Sequence, residues 1–423
     1  MGTPLNHPDP DVIVIGAGII ATGIAVALQA AGKRVVMVER KTPGAEASGK
    51  NAGAFAFADI VPLATPGILR SAPKWLLDPL GPLSIPPSYL FSIAPWLLKF
   101  WRASRPDRFP KLMKAQADLM ALSRAALERQ VRSVEAEHLL QRDGQLRVYQ
   151  GRARFDASKP YWNFLREQGV AFDLLKTADE IAEIQPGLNP EFSHAGYTPD
   201  WINTRDPAEW LNHLIGVFVA RGGKVEQLNV VRLEADPDPV NDGVAVIGEA
   251  RRLVGAQVVV AAGAWSHRLA QTVGDKIPLE TERGYNTTLP QGDFRLKTHL
   301  TFAGHGFVAS RINDGVRVGG AVELGGLSAP PNFKRAQVLL DKAGKFMTGL
   351  NTDQGSEWMG FRPSMPDSIP VIDRSPKIDK VVYAFGHGHL GLTQAAGTAE
   401  LVRALILGHD PPIKTDAFSV RRF

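Results

Sequence analysis

The sequence predicts an α/β protein in which a parallel-sheet domain, discontinuous along the chain, is combined with an α+β domain built on an antiparallel sheet. Three observations predict this fold class. Residues 11–39 have the pattern strand, glycine turn, helix, strand. Residues 257–266 and 381–407 each repeat a buried strand that breaks into a small-residue turn before a helix, and residues 278–350 divide into short β-type segments.

The first unit, residues 11–39, has the composition of a Rossmann-like βαβ unit. Residues 11–15 are an apolar, β-branched run typical of a buried parallel strand. The turn that follows, residues 16–21, has the sequence GAGIIA and fits the pattern G-x-G-x-x-A. An Ala-, Val- and Leu-rich stretch predicts a helix to about residue 31, and the apolar run 34–38 predicts the second strand.

Each part of this unit has a physical role in holding a dinucleotide. Gly16 permits the tight strand-to-helix turn, and Gly18 lets the backbone approach a pyrophosphate. Ala21 stands where the pattern often has a third glycine, and it is small enough for close packing of helix on strand. The helix N-terminus offers N–H groups to phosphates. Glu39 falls where a carboxylate accepts hydrogen bonds from ribose hydroxyls, so the unit predicts an adenine-dinucleotide site.

Three later segments are predicted to contact the same cofactor. Residues 44–53 (GAEASGKNAG) are rich in small residues and follow the βαβ unit directly, with a plain flexible loop as the alternative. Residues 258–266 are a further predicted parallel strand and the turn after it, whose backbone is expected to reach the cofactor. The glycine loop 386–391 (GHGHLG) lies between a predicted strand and a helix N-terminus and is a second site for negative charge; a glycine turn that serves packing alone is the alternative.

Composition excludes several other classes of function. The chain has 423 residues, of which 44% are hydrophobic and 22% charged, as in globular proteins of two or three domains. The net charge of +5 comes from scattered bases, which does not indicate a nucleic-acid partner. The absence of cysteine excludes disulfides, a thiol nucleophile and iron–sulfur clusters. The ten histidines show no ligand spacing with carboxylates, so no metal site is expected.

Residues 60–110 are dense in proline and contain Trp75, Trp96 and Trp101. Proline at this density excludes a spanning helix. The segment is expected to pack as short, proline-bounded helices around the second domain; a peripheral contact with the inner face of a membrane is the alternative. The N-terminus has neither a basic segment nor an apolar signal core, so a cytoplasmic location is expected.

The rest of the chain outlines the second domain. Residues 107–141 predict a charged scaffold helix, and residues 181–190 a loop. The turn Asn313-Asp314-Gly315 predicts a hairpin in an antiparallel wall of the substrate pocket. The expected organisation is three segments of a dinucleotide-binding domain, 1–60, 196–277 and 356–423, and two segments of a substrate domain, 61–195 and 278–355.

The order of the motifs resembles that of the D-amino acid oxidase (DAO) superfamily of FAD-dependent oxidoreductases. The motifs are GAGIIATG with Glu39, SGKNAG, ERGYNTTLP, GFRPSMPDSIPVI and GHGHLGLTQAAGTAELV. The resemblance spans nearly the whole chain and is strongest to the bacterial D-amino acid dehydrogenase and D-hydroxyproline dehydrogenase branch. It implies a glutathione-reductase-type FAD-binding domain with non-covalent FAD, and the lack of cysteine excludes a cysteinyl–flavin link.

The resemblance also implies roles for four residues. An arginine of the GxRP motif, here Arg362, holds the substrate carboxylate, and a planar guanidinium suits bidentate binding. A tyrosine in the first strand of the substrate sheet, here Tyr285, adds a directional donor. His387 and His389 are expected near the reactive end of the flavin, where they contact substrate, tune the flavin or hydrogen-bond to backbone.

The implied activity is oxidation of a D-amino acid or cyclic D-imino acid, such as D-proline or D-hydroxyproline, by hydride transfer from Cα to flavin N5. The sequence has no obvious acidic clamp for a cationic side chain, which favours a neutral substrate. The electron acceptor is a quinone or O₂. Three alternatives stay open: a glycine-, sarcosine- or amine-type oxidase of the same superfamily, a non-catalytic FAD subunit that relays electrons, and a nicotinamide-dependent dehydrogenase.

The residues expected to bind FAD lie in the segments described above and in a predicted strand that ends near residue 231. They are Ile15, Gly16, Ala17, Gly18, Ile19, Ile20, Glu39, Arg40, Lys41, Ser48, Lys50, Asn51, Ala52, Gly53, Val231, Ala262, Gly263, Trp265, Gly386, His387, Gly388, His389, Leu390, Gly391, Leu392 and Thr393.

Overall fold

The computed structural model describes residues 10–67, 81, 83–238 and 242–423. The α-helices of this part are α1 (Ile19–Ala30), α2 (Leu90–Ala103), α3 (Phe109–Ser133), α4 (Gly151–Ala157), α5 (Lys159–Glu167), α6 (Ala178–Ile184), α7 (Pro207–Ala220), α8 (Ser266–Val273), α9 (Lys334–Phe346) and α10 (Gly391–Leu407).

The strands of the described residues are numbered in chain order. They are β1 (Val12–Ile15), β2 (Val35–Glu39), β3 (Ala54–Phe55), β4 (Leu83–Ser84), β5 (Leu140–Gln141), β6 (Gln145–Gln150), β7 (Asp173–Leu175), β8 (Phe192–Thr198), β9 (Ile202–Thr204), β10 (Lys224–Gln227), β11 (Val230–Ala235), β12 (Val244–Gly248), β13 (Arg252–Gly255), β14 (Gln257–Val260), β15 (Glu280–Leu289), β16 (His299–Phe302), β17 (Phe307–Ile312), β18 (Gly315–Glu323), β19 (Ser356–Ser364), β20 (Val371–Arg374) and β21 (Val381–Phe385).

The first of two large sheets is the parallel sheet that the sequence predicted. Its order in the described chain is β10-β2-β1-β14-β21-β20, and only the edge strand β20 is antiparallel to its neighbour. The central strand β1 is wholly buried, and its side chains alternate between two apolar layers, Val12 and Val14 in one and Ile13 and Ile15 in the other. Burial on both faces is the reason why this strand is a continuous apolar run.

The two faces of the parallel sheet have different cover. Helices α1, α7 and α10 pack on one face, and α3 lies against α10. The other face is covered by α8 and by a three-stranded antiparallel sheet, β11-β12-β13. The carboxyl ends of β1, β14 and β21 lie side by side, so the loops that follow these strands meet at one edge.

The second large sheet is mixed. In the described residues its order is β19-β15-β18-β17-β16-β6-β8-β7, with β4 beside β18. The prediction of an antiparallel sheet needs correction, because β16 runs parallel to β6 and β4 runs parallel to β18. Helices α6 and α9 pack on one face of this sheet. Residues of the opposite face line the cavity described below.

Some predictions for the second domain are confirmed and others are wrong. The hairpin turn at residues 313–315 joins β17 to β18, and Asn313 has φ +52°. Helix α9 lies in a region expected to be β-type, although its buried residues recur at helical spacing. Helix α6 overlaps the expected loop 181–190 and starts with a capping box between Thr177 and Glu180, a signal that the sequence carries. The scaffold helix α3 is shorter than residues 107–141.

One expected domain boundary falls within a strand of the mixed sheet, and another falls at the start of a strand. The boundary at 195/196 lies inside β8, and β19, which pairs with β15 over its whole length, begins at the boundary at 355/356. The chain therefore leaves the mixed sheet later than expected in both places. The division into domains stays a prediction.

Helix α2 is the described core of the proline-rich segment 60–110, and it contains Pro95. Its inner side packs Ile93 and Trp96 against Leu324. Trp75 and its neighbours lie outside the described residues. Among the helices that the structure describes, none is both long and apolar enough to cross a membrane.

Candidate functional site

A cavity of about 1010 Å³ lies between the carboxyl edge of the parallel sheet and the free face of the mixed sheet. Both sheets contribute residues to its lining, so the cavity exists only when the two sheets are assembled. Its volume is at the upper end of the range for small-molecule and cofactor sites, roughly 300–1,000 Å³.

The glycine turn after β1 lies at one end of the cavity. Gly16 has φ +110°, and a Cβ atom there would lie 2.5 Å from the carbonyl oxygen of Ala261. Only glycine fits this position, because both the backbone conformation and the space exclude a side chain. Glu39 at the end of β2 accepts hydrogen bonds from the N–H groups of Ala17 (2.9 Å) and Lys41 (3.0 Å). The acidic residue is therefore fixed against the turn by the backbone.

The loop 44–53 closes over the N-terminus of α1. Ser48 Oγ accepts a hydrogen bond from the N–H of Ile19 at 3.0 Å. Two side chains of the mixed sheet hold the loop from the other side: Asn286 Nδ2 donates to the Lys50 carbonyl (2.8 Å) and Arg317 Nη1 to the Asn51 carbonyl (2.5 Å). Burial lowers the pKa of Arg317 to about 10. Sequence reasoning missed Arg317, because it lies in β18, about 265 residues after the loop that it anchors.

Most of the residues expected to bind FAD line the cavity. They are Ile15, Gly16, Gly18, Ile19, Ile20, Glu39, Arg40, Ser48, Lys50, Asn51, Ala52, Val231, Ala262, Gly263, Trp265, His387, Gly388, His389, Leu390, Gly391 and Leu392. The guanidinium of Arg40 lies 3.7 Å from the centre of the Trp265 ring, and it pairs with Glu46 at 2.7 Å.

Five of the expected residues do not line the cavity. The N–H groups of Ala17 and Lys41 donate hydrogen bonds to the carboxylate of Glu39, and Gly53 N–H donates to Asn51 Oδ1 at 2.7 Å. Gly386 borders a smaller adjoining pocket. Thr393 Oγ1 accepts from Ala56 N–H at 2.9 Å and donates to a backbone carbonyl, so it fastens α10 to the chain after β3.

Arg362 in β19 extends across the neighbouring strand β15 and lines the cavity. Its guanidinium lies over Gly284, where a Cβ atom would come within 2.3 Å of Arg362 Nη2. Nη1 donates to the carbonyl of Ala321 at 3.0 Å. Burial lowers the pKa of Arg362 from its ordinary value, and the carboxylate of Glu282 opposes this shift. The guanidinium is thus enclosed by protein, is held by the carbonyl of Ala321, and borders the cavity.

Ala321, which accepts from Arg362, has a backbone conformation that is rare for its type. Its φ is +55°, and the register of β18 against β15 shifts at this point. Ala321 and Val322 oppose the single residue Gly284, and this one extra residue forms a β-bulge, which redirects backbone groups within a sheet. Left-handed backbone at a non-glycine residue costs about 1–3 kcal/mol, and such strain is commonly found at ligand sites.

The two histidines of the glycine loop differ in their surroundings. His389 is enclosed by protein but exposed to the cavity, and burial lowers its pKa, with Asp59 and Glu282 opposing the shift. His387 is only 4% exposed, and its Nε2 lies 2.9 Å from Thr398 Oγ1 within α10. Burial lowers the pKa of His387 to about 3. Of the two, His389 is the one available to a ligand.

The expectation that the Tyr285 hydroxyl meets the substrate needs correction. The residue borders the cavity, but its hydroxyl donates to Glu323 Oε2 and accepts from Asn332 N–H at 3.1 Å. Its ring packs against Phe333 at the start of α9, in the apolar layer behind the sheet. Because side chains alternate along a strand, the cavity face of β15 belongs instead to Glu282, Gly284 and Asn286.

Two carboxylates of the cavity, and an arginine that pairs with one of them, were also missed by sequence reasoning. Glu282 lies on the cavity face of β15, and Asp59 lies 3.5 Å from Arg147 of β6. The expectation of no obvious acidic clamp for a cationic side chain therefore needs correction, because two carboxylates border the cavity. The alternation of β15 could have revealed Glu282, but only with knowledge of which face meets the cavity.

Comparison with known proteins identifies the family of this chain. The profile described as FAD dependent oxidoreductase (DAO) matches residues 11–405. A D-amino-acid oxidase of Bradyrhizobium diazoefficiens is 34% identical over 422 residues, which cover 97% of this chain and 98% of the relative. A D-amino acid dehydrogenase of Rhizobium rhizogenes is 28% identical and covers 97% of this chain and 99% of the relative. The chain belongs to the DAO family of FAD-dependent oxidoreductases, as its motifs predicted.

Solved structures show the same fold. The glycine oxidase of Geobacillus kaustophilus superposes with a TM-score of 0.77 at 19% identity, covering 98% of this chain and 99% of that one. The L-proline dehydrogenase of P. horikoshii superposes with a TM-score of 0.73 at 18% identity, covering 99% and 98%. The mixed α/β fold predicted from sequence is confirmed.

The protein is an FAD-dependent enzyme, and the cavity fits this cofactor. Gly16 leaves backbone where a side chain would stand, and the N-termini of α1 and α10 both open on the cavity, as suits phosphate and other negative charge. Glu39 lies beside the turn with its carboxylate held in place. Among the residues that the structure describes, no group of three or more metal-ligand side chains occurs.

Two buried histidines predict acid sensitivity of the fold. Burial lowers the pKa of His387 and of His299 to about 3, so both stay neutral in the folded state well below pH 6.5. The unfolded chain takes up these protons near pH 6.5, so stability is lost as the pH falls below that value, by about 1.4 kcal/mol per pH unit for each histidine. We expect the His299→Asn variant to show a shallower fall in the melting temperature between pH 6.5 and 5, measured with FAD in excess.

The exposed His409 provides the control for this prediction. A His409→Asn variant should reproduce the slope of the native protein. Equal slopes for the native protein and His299→Asn would contradict the prediction.

Proposed function

We propose that the protein oxidises the Cα–N bond of a D-amino acid or a cyclic D-imino acid to the imine. The observation that carries this proposal is the enclosed guanidinium of Arg362, which donates to Ala321, lies over Gly284 and borders a cavity that fits FAD. A guanidinium so presented suits a carboxylate. The names of relatives in Bradyrhizobium, Rhizobium and Vibrio, a D-amino-acid oxidase and D-amino acid dehydrogenases, support an amino acid of the D series.

The chain's own residues would bind and orient the substrate. Arg362 holds the carboxylate, which fixes the position of the α-carbon. His389, whose pKa is lowered by burial, offers a hydrogen-bonding ring to the same space. Trp358 lies over Gly360 and lines the cavity, so it adds an apolar surface to the site that contains Arg362.

The atoms of the reaction balance without a strong base. FAD, when bound non-covalently, supplies a two-electron acceptor for the hydride from the α-carbon. The ammonium nitrogen would first release one proton to water, so that its lone pair forms the C=N bond as the hydride leaves. Water then hydrolyses the iminium to an oxo acid and ammonium, or opens a cyclic iminium to an amino oxo acid. Orientation and exclusion of water are what the protein contributes.

The test is anaerobic mixing of the purified holoenzyme with D- and L-amino acids, including D-proline and D-hydroxyproline. Bleaching of the flavin's visible absorbance by D enantiomers is the expected result, and readmission of air then distinguishes an oxidase from a dehydrogenase that passes electrons to a quinone. Bleaching by glycine, sarcosine or simple amines alone would reject a D-amino acid substrate and indicate a glycine-, sarcosine- or amine-type oxidase. A flavin reduced by none of these substrates would indicate an electron-relay subunit and reject the proposal.

We also propose that α2 rests on a membrane surface, which would bring a quinone acceptor within reach. Phe91, Leu98 and Trp101 are 90%, 62% and 48% exposed on this helix, next to the exposed bases Lys99 and Arg102. An apolar stripe with flanking bases suits an anionic interface.

We expect the protein to pellet with vesicles of phosphatidylglycerol and not with phosphatidylcholine alone. The triple variant Phe91→Ser, Leu98→Ser, Trp101→Ser should lower the bound fraction at least fivefold. Val219→Ser, which removes an exposed side chain from α7, serves as the control. Equal pelleting of the triple variant and the native protein, or no pelleting at all, contradicts this surface.

A further inference from the structure

Glu282 lies directly beside Arg362, the arginine proposed to bind the substrate carboxylate. It is the Cα partner of Arg362 in the antiparallel pair β15–β19, and it precedes by two residues Gly284, over which the guanidinium lies. Side chains two apart on a strand share a face, so the carboxylate and the guanidinium border the same part of the cavity.

The carboxylate of Glu282 has no hydrogen-bond partner in the described part of the chain, although the residue is only 6% exposed. The guanidinium of Arg362 directs Nη1 to the carbonyl of Ala321 and forms no ion pair with Glu282. Opposite charges in adjacent positions that leave each other unpaired are unusual in an enclosed site, because a buried charge without a partner is costly. Each group is therefore available to a ligand.

Asp59, another carboxylate of the cavity, is in a different situation. Asp59 lies 3.5 Å from the guanidinium of Arg147 and already has a cationic partner. Loss of its charge would leave the guanidinium of Arg147 without this partner, which changes the field for any two carboxylate ligands alike. Asp59 thus offers a matched comparison for Glu282.

We propose that Glu282 binds the α-ammonium group of the substrate, so that β15 and β19 together form a clamp for a zwitterion. This inference rests on the proposed function and specifies which substrates the site selects. A ligand must have an ammonium group next to its own carboxylate. An anion without an amine would meet Arg362 and Glu282 at once, and the carboxylate would repel it. An amino acid offers opposite charges one carbon apart, which matches adjacent opposite charges on neighbouring strands.

The test compares two ligands that differ only in the amine. 2-Aminoisobutyrate has no hydrogen on the α-carbon and cannot be oxidised, and isobutyrate is the same acid without the amine. Calorimetric titration of the holoenzyme should give at least tenfold tighter binding of 2-aminoisobutyrate. In Glu282→Gln we expect this preference to vanish while isobutyrate binds as well as before or better. Glu282→Asp should keep part of the preference, and Asp59→Asn should leave the ratio of the two affinities near that of the native protein.

Several results would overturn the clamp. Equal weakening of both ligands in Glu282→Gln would mean that Glu282 only supports Arg362. An unchanged ratio would mean that the ammonium binds elsewhere. If neither ligand binds the native protein, the KM of the best substrate decides, and a KM unchanged in Glu282→Gln rejects the clamp. If the amine preference is lost as expected but no amino acid bleaches the flavin, the clamp stands and the proposed reaction fails.

Discussion

Replacement of Arg362 by alanine is expected to raise KM for the amino acid about 100- to 1,000-fold while FAD content stays the same. Two charge-assisted hydrogen bonds to a carboxylate account for a loss of this size. The flavin is not expected to leave, because Arg362 belongs to β19 of the mixed sheet and not to the loops after β1, β14 and β21. Steady-state kinetics and the ratio of absorbance at 450 and 280 nm would measure the two quantities.

Two further variants separate position from charge at this site. Arg362→Lys keeps the charge but loses the planar fork and should recover only part of the affinity. Gly284→Ala leaves Arg362 in the chain but adds a Cβ where the guanidinium lies, and it should raise KM at least tenfold. Loss of flavin with unchanged substrate affinity in Arg362→Ala would show that this residue serves the cofactor, and the proposed function would lose its main support.

Gly16→Ala is expected to have the second large effect, on the cofactor. The new Cβ would lie 2.5 Å from the carbonyl oxygen of Ala261, and φ +110° is unfavourable for any side chain. Overpacking and backbone strain together should lower stability by about 3 kcal/mol. The turn must also shift from its present position at the cavity, so we expect the Kd for FAD to rise at least tenfold. Calorimetry of the apoprotein with FAD and thermal unfolding would measure both.

Gly32→Ala is the matched control for this prediction. Gly32 also has positive φ, at +82°, but a Cβ there would have no atom within 4 Å. This variant should lose about 1 kcal/mol of stability through backbone strain and keep its affinity for FAD. If both variants lost FAD equally, general destabilisation and not the turn would be responsible.

The sequence alone predicted the parts of the site that local patterns encode. A strand, two glycines, a helix, a second strand and an acid in order led to β1, α1, β2 and Glu39, and the hairpin turn at Asn313 was found in the same way. The same local reasoning found the glycine loop before α10. Such patterns work because turns and buried strands constrain residue type through neighbours a few positions away.

Only the tertiary structure decided which face of β15 meets the cavity. The alternation along Glu282, Arg283, Gly284 and Tyr285 is visible in the sequence, but one face must turn to the cavity and the other to α9, more than 40 residues later. Tyr285 was therefore assigned to the substrate, and Glu282 was missed. The support of Arg362 by Gly284 and the anchoring of loop 44–53 by Arg317 are equally non-local. A strand has a period of two and two possible orientations, and the choice between them depends on what the rest of the chain packs against it.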